Sequence, residues 1–132
     1  MTKCQITAGN ERYCKSLNDY AKSRGFSFNV GNPGTGTLES YIGTVDNIVI
    51  HEDEGFADLE HLAGGWHSKY NKKNFSAISL NIIGINIPYI LQASNYVNYI
   101  YITSGNKPDP WDSLPPYFVE LIETLAEFEQ NN

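Results

Sequence analysis

The chain has 132 residues, of which 41% are hydrophobic and 18% are charged, and its formal net charge is −6. This length corresponds to one domain, residues 1–132, and the composition is that of a folded globular chain rather than a disordered one. The acidic balance argues against a nucleic-acid partner, because such proteins need clustered Lys and Arg. No apolar run has transmembrane length, so we expect no membrane partner.

The first half of the chain predicts one helix and two strands. Asn10 is typical of a helix N-cap, and Gly25 is typical of a helix end. The predicted apolar face of this helix consists of Tyr13, Leu17, Tyr20 and Ala21. Apolar runs predict strands over residues 26–30 and 45–50, and a short helix over residues 38–42 lies between them.

The second half continues the alternation of strands and helices. The predicted elements are a helical turn containing Leu59 and Leu62, a strand over residues 75–82, a helix over residues 87–97, a strand over residues 99–103 and a helix over residues 115–129. The apolar face of the last helix consists of Phe118, Leu121, Ile122, Leu125 and Phe128.

This order predicts an α/β fold with a parallel sheet, because alternating strands and helices connect through right-handed crossovers. Four βα units preceded by one helix amount to about half of a (β/α)8 TIM barrel, which takes about 250 residues. An open four-stranded parallel sheet is the alternative. In a half barrel the first and last strands are unpaired edges, which favour association.

The two cysteines carry no signature of a metal site. Cys4 and Cys14 are ten residues apart, without a C-x-x-C motif or a His at ligand spacing. We expect two free, partly buried thiols rather than a disulfide. The Gly-rich loop over residues 31–36 lacks the phosphate-loop and dinucleotide patterns, so we expect neither a metal nor a cofactor.

Polar segments follow the first two predicted strands, at residues 31–36 and 51–54. In a parallel α/β sheet, residues at the carboxyl ends of the strands build the site. The sequence therefore indicates the edge of the sheet where chemistry takes place. The alternatives are a plain turn for the first segment and a solvated acidic loop for the second.

Three segments resemble the spherulin 4-like family: GNPGTGTLESYIGTVDNIVIHEDEGF, AGGWHSKYNKKNFSAI and NYIYITSGNKPDPWDSLPPYF. The resemblance covers residues 20–125 and implies a (β/α)8-barrel glycoside hydrolase that cuts α-1,4-linked galactosamine or N-acetylgalactosamine polymers. It corresponds to the C-terminal half of the family barrel, strands five to eight. It also implies an extracellular or cell-surface setting, although residues 1–5 lack the apolar core of a signal peptide.

The resemblance implies roles for individual residues. The family's NPG motif matches Asn32-Pro33-Gly34, so Asn32 and Gly34 are expected to bind substrate, and the family's acidic residue after strand six matches Glu52, the expected catalytic residue. The further substrate-binding candidates are Asp53, Trp66, His67, Asn81, Tyr101 and Thr103. Trp66 is as typical of a core residue as of a sugar-stacking platform, and a lone His such as His67 is often only a polar loop residue.

One acidic residue is not enough for hydrolysis, which needs two carboxyl groups beside the scissile bond. The resemblance implies an Asp-Glu pair at the end of strand four, and this chain does not contain that strand. We therefore expect an incomplete catalyst that needs a complementing N-terminal half, so whether the chain is an enzyme stays open. The alternative is a non-catalytic polysaccharide-binding or structural protein, with a half-barrel homodimer as one form of it.

Overall fold

The computed structural model describes residues 7–33 and 36–131. Its helices are α1 (Glu11–Ser23), α2 (Leu59–Gly64), α3 (Ile87–Ala93) and α4 (Phe118–Gln130). Its strands are β1 (Val30–Gly31), β2 (Asn47–Glu54), β3 (Phe75–Leu80) and β4 (Tyr99–Ile102). Short 3-10 turns lie at Glu39–Tyr41, Trp66–Lys69 and Lys72–Asn74. No helix in these two described ranges is both long and apolar enough to cross a membrane.

The strands form one four-stranded sheet in the order β1-β2-β3-β4, and every pair is parallel. The predicted parallel α/β sheet is therefore confirmed. Each strand is followed by a helix or a 3-10 turn that returns the chain to the opposite end of the sheet. As a result, the carboxyl ends of all four strands lie along one edge.

The helices pack on one face of this sheet. Phe75 and Ala77 of β3 contact Leu62 of α2 and Ala93 of α3 within one buried cluster. A second cluster joins β4 to the last two helices through Ile102, Ile90 and Leu121. A third joins α1 to β2 through Cys14, Tyr41 and Ile48. The other face of the sheet is named the open face below.

The first strand is much shorter than predicted. Only Val30–Gly31 pairs with β2, whereas residues 26–30 were expected to be strand. The Phe26 amide donates to Ala21 O at 3.0 Å, so this segment first completes the end of α1. Gly25, with a φ of 100°, makes that reversal possible because it adopts the left-handed conformation without strain.

The predicted apolar face of α1 is wrong in part. Tyr13 and Tyr20 are exposed, and the buried residues are Cys14 and Asn18. Cys14 is also disulfide-bonded, which contradicts the expected free thiol. The only other cysteine in the sequence, Cys4, lies outside the described residues. The periodicity of apolar residues predicted that Tyr13 and Tyr20 face the core. The structure instead buries the adjacent row, in which Cys14 contacts Tyr41 and Ile48.

The last helix differs from its predicted face in the same way. Leu121 and Thr124 are buried in α4, whereas Ile122 is exposed. Leu121 packs against Ile90 and Ile102 in the second cluster. The predicted face is therefore only partly buried, and Ile122 lies on its exposed side.

We expect Leu121→Ala to lower the free energy of unfolding by about 2–4 kcal/mol, because it leaves a cavity between α4 and the sheet. Val119→Ala on the same helix is the matched control, since Val119 is exposed, and we expect a change within about 0.5 kcal/mol. Urea denaturation measures both values. Equal effects would contradict the packing of α4 described here.

Candidate functional site

An irregularity in β2 determines which of its side chains reach the open face. Ile48 and Val49 pair with Phe75 and Ser76, but the next pairs are His51 with Ala77 and Glu52 with Ile78. The strand thus contains one extra residue, and the alternation of side chains shifts by one position after it. Glu52 therefore lies on the same face as Val49 rather than on the helix-covered face with Ile48.

The NPG segment brings Asn32 to the same face. Val30 and Gly31 pair with Asn47 and Ile48, and Asn32 is the first residue after the paired part of β1. The Asn32 amide Nδ2 donates a hydrogen bond to Glu52 Oε2. Two predicted site residues, 20 positions apart in sequence, are therefore in direct contact.

These two residues line a cavity of about 300 Å³ at the carboxyl ends of β1 and β2. The rest of its lining is Gly36, Val49 and residues 50–53. Gly34, the other expected substrate-binding residue of the motif, lies outside the described residues. The cavity has carboxylate, amide and imidazole groups at its wall, which is the donor and acceptor set that binds sugar hydroxyl groups.

Asp53 also lines the cavity, but its carboxylate already has partners. The backbone N–H of Glu54 donates to Asp53 Oδ1 at 2.8 Å, and Lys107 Nζ lies 3.3 Å from the same oxygen. The hydrogen bond from the backbone N–H of Glu54 has the largest effect on the pKa of Asp53, and the Lys107 ammonium group has the next. Both hold this pKa below its ordinary value. Asp53 is therefore a fixed negative charge near neutral pH.

Sequence reasoning missed Lys107, which lies 54 positions after Asp53. It belongs to the loop after β4, and its side chain reaches the end of β2. The available signal was its position after a predicted strand, because loops at the carboxyl ends of parallel strands converge.

No protein-family model and no curated protein matches the sequence. Among solved structures, the fold matches the crystal structure of Aspergillus clavatus Sph3 in complex with GalNAc. The TM-score is 0.72 and the sequence identity is 19%, and the match covers 95% of this chain and 54% of that chain. The chain has the fold of about half of Sph3.

Sph3 is a spherulin 4-like protein, so the family resemblance expected from the motifs is confirmed at the level of the fold. The described chain spans about half the length of the Sph3 chain that it matches. The shared part includes a four-stranded parallel sheet with helices.

Trp66 and His67 do not line the cavity that contains Asn32 and Glu52. Both rings pack edge-on against Phe75 on the helix-covered side, at 5.8 and 5.7 Å between centroids. Trp66 Nε1 donates to Thr37 O at 3.2 Å, and His67 is only 4% exposed. The structure thus buries His67 and half-buries Trp66 against the core, away from the cavity that contains Asn32 and Glu52.

The remaining candidates lie at the ends of β3 and β4. Asn81 follows β3 with a φ of 58°, and its backbone N–H donates a hydrogen bond to Gly105 O. Tyr101 is on the open face beside Ile78, and its ring lies 6.3 Å from that of Trp111. Thr103 is fully buried, and its Oγ accepts a hydrogen bond from the backbone N–H of Gly105. Its hydroxyl group therefore stabilises the loop after β4.

His67 has an unusual environment for a buried imidazole. Neither ring nitrogen has a hydrogen-bond partner in the described residues. Burial, and secondarily the neighbouring His61, lower the pKa of His67 below its ordinary value of 6.5. The folded state therefore holds this side chain neutral at a pH where the unfolded chain protonates it.

The free energy of unfolding is expected to decrease as pH falls below about 6.5. In this range His67 is protonated in the unfolded chain but stays neutral in the folded protein, because its pKa is lowered there. The His67→Leu variant should lose this part of the pH dependence. His61→Gln, which changes an exposed neighbour, should keep most of it. Urea denaturation between about pH 5 and 8 measures the slopes. An unchanged slope in His67→Leu would refute the assignment.

Proposed function

We propose that the cavity at the ends of β1 and β2 binds galactosamine- or N-acetylgalactosamine-containing polysaccharide, and that Glu52 is the catalytic carboxyl group of a glycoside hydrolase site. The observation that carries this proposal is the hydrogen bond between Asn32 and Glu52 on the open face. The similarity of the fold to Sph3, which was crystallised with GalNAc, supports the choice of sugar.

The contact between Asn32 and Glu52 suits this chemistry. A carboxyl group that protonates a leaving oxygen or attacks a sugar must be held in one orientation. The Asn32 amide engages one carboxylate oxygen, which orients the other relative to the cavity. Asn32 would thus act mainly as a positioning residue for Glu52, rather than only as a ligand for sugar hydroxyl groups.

The chain by itself is proposed to be incomplete as a catalyst. Hydrolysis of a glycosidic bond needs a second carboxyl group, about 5–9.5 Å from the first. Asp53 is unsuited to be the general acid, because the Glu54 amide and Lys107 keep it ionised. The expected Asp-Glu pair belongs to a part of the family barrel without a counterpart in this chain, so a complement would have to supply the acid.

A non-catalytic role is the second candidate. The ion pair of Asp53 and Lys107 beside the carboxylate of Glu52 favours binding of a polar polymer without cleavage. In that case the chain would hold amino-sugar polymers at a surface, and Glu52 would accept a hydrogen bond from the sugar.

A binding and cleavage experiment on short α-1,4-linked galactosamine and N-acetylgalactosamine oligomers tests the proposal. We expect the wild-type chain to bind them, and Asn32→Ala to weaken binding by about tenfold, because one oriented hydrogen bond is lost. Glu52→Gln keeps the acceptor for Asn32, so its affinity should stay within about threefold. Glu123→Gln, on an exposed position of α4, is the control.

Cleavage separates the two candidates. The catalytic proposal expects hydrolysis that Glu52→Gln abolishes once a complementing half is present, and none by the isolated chain. Binding without hydrolysis under both conditions supports the non-catalytic candidate. Absence of binding to either oligomer, with a folded wild-type chain, contradicts both.

A further inference from the structure

The open face carries a row of side chains that crosses the sheet from β2 to β4. Glu52 pairs in register with Ile78 of β3, and Ile78 pairs in register with Tyr101 of β4. Paired residues on neighbouring strands point to the same face, so these three side chains lie in one row. Because neighbouring strands are about 4.8 Å apart, the backbone of Tyr101 is roughly 10 Å from that of Glu52. The row therefore begins at the candidate carboxyl group and ends at an aromatic ring.

A second aromatic ring extends this end of the row. Tyr101 is half-buried and packs against the second buried cluster, which anchors its ring. The ring of Trp111 lies 6.3 Å from that of Tyr101 between centroids, and the two ring planes meet at 34°. Trp111 is nevertheless 52% exposed. These two rings, named the aromatic shelf below, combine a fixed base with a large apolar surface that solvent reaches.

The loop that carries Trp111 also contacts the wall of the cavity. Lys107 Nζ lies 3.3 Å from Asp53 Oδ1, and Asp53 lines the cavity. Lys107 and Trp111 belong to the same loop, between β4 and α4. This loop thus joins the cavity to the aromatic shelf, and both lie at the carboxyl edge of the sheet.

The same loop is held in one shape at its two ends. The backbone N–H of Gly105 donates to Thr103 Oγ1 at 3.1 Å, and Gly105 O accepts from the backbone N–H of Asn81 at 3.0 Å. A Cβ atom at position 105 would lie 2.4 Å from Pro110 O, so the Pro110 backbone packs directly on the glycine. Pro110 is buried and immediately precedes Trp111. The indole ring is therefore positioned before any ligand arrives, which lowers the entropic cost of binding.

The two ends of the row offer the two kinds of contact that a sugar makes. Hydroxyl groups need donors and acceptors, which Asn32 and Glu52 provide in the cavity. The apolar C–H face of a sugar ring stacks on an aromatic ring, which Trp111 provides. A single sugar in the cavity does not also reach a ring that is two strands away, but a polymer does.

We propose that the aromatic shelf is a second sugar subsite, in which Trp111 stacks on one residue of an amino-sugar polymer while Asn32 and Glu52 hold another residue of the same chain. This inference rests on the proposed function and adds to it a preference for oligomers over single sugars. The occupant follows from continuity, because the loop with Trp111 is in contact with the cavity wall at Asp53.

Isothermal titration calorimetry with two ligands tests the subsite. The ligands are the methyl α-glycoside of N-acetylgalactosamine and a short α-1,4-linked oligomer of the same sugar. The wild-type chain should bind the oligomer roughly tenfold more tightly, because stacking on the shelf adds to the contacts in the cavity. Trp111→Ala should remove this gain and change the affinity for the single sugar by less than about twofold, since Trp111 does not line the cavity.

Two further variants are controls. Trp111→Phe keeps an aromatic ring and should keep the oligomer affinity within about threefold of the wild-type value. Tyr20→Ala removes a ring that is 65% exposed on α1, which packs on the helix-covered face, and should behave as the wild type with both ligands. Circular dichroism and thermal unfolding verify that each variant is folded.

Tryptophan fluorescence shows whether the ring itself touches the sugar. The sequence has two tryptophans, and Trp66 is half-buried against Phe75 on the helix-covered side. Oligomer binding should therefore change the emission of Trp111, and the single sugar should leave it unchanged. In Trp111→Phe the change should be lost although the oligomer still binds. A residue that only supports the loop would not give this pattern.

Three results would overturn the subsite and leave the proposed function standing. The wild-type chain could bind the oligomer no more tightly than the single sugar. Trp111→Ala could leave the oligomer affinity unchanged, which would assign the exposed ring to a different partner. Trp111→Ala could weaken both ligands equally, which would mean that Trp111 supports the cavity. Absence of binding of either ligand to the folded wild-type chain would overturn the subsite and the proposed function together.

Discussion

The extra residue in β2 is the constraint on which the candidate site depends. Before it, Ile48 faces the helices, and strict alternation would send Ile50 and Glu52 to the same side. The change of register between Val49 and His51 moves Glu52 to the open face, beside Asn32. Bulges next to active sites commonly re-aim a side chain in this way. With Glu52 on the open face, its carboxylate is not buried under the helices, where an unpaired charge would be costly.

The parallel pairing of the strands also brings Asp53 and Lys107 together. Because every strand runs in one direction, the loops after β2 and β4 meet at one edge, and Lys107 reaches Asp53 across the width of β3. An exposed ion pair therefore lies near the hydrogen-bonded pair Asn32 and Glu52. The lower part of the sheet has a different composition, with Phe28 and Tyr99 in contact across the open face. The polar groups of the candidate site and the apolar contact between Phe28 and Tyr99 thus lie at opposite ends of the open face.

Much of the fold was predictable from the sequence because the physical signals were local. The buried runs that became β2 and β3, and the helix that follows Pro115, have clear apolar periodicity. The edge with the candidate site was predictable too, because polar residues follow the apolar runs of β1 and β2; residues 51–54, however, were expected to form a loop and instead extend β2 to Glu54. Glu52 and Asn32 were named for that reason and by family resemblance, but their contact was not foreseen.

The features that the sequence did not predict depend on contacts between residues far apart in the chain, which the periodicity of apolar residues does not encode. Nothing in the run Ile48-Val49-Ile50-His51 shows where an extra residue falls, since each position is compatible with either face. The buried row of α1 is decided by contact with Tyr41 and Ile48, which are distant in sequence. Trp66 and His67 follow two glycines, which is typical of a loop, yet both rings pack against Phe75, so that His67 is buried and Trp66 half-buried.

The central claim is that sugar binds on the open face at Asn32 and Glu52. A titration of isotope-labelled protein with the methyl α-glycoside of N-acetylgalactosamine, followed by nuclear magnetic resonance, tests it most directly. The account predicts saturable shifts of the Asn32 side-chain amide and of the backbone amides of residues 51–53. Shifts confined to other surfaces, with these signals unmoved at saturation, would contradict it.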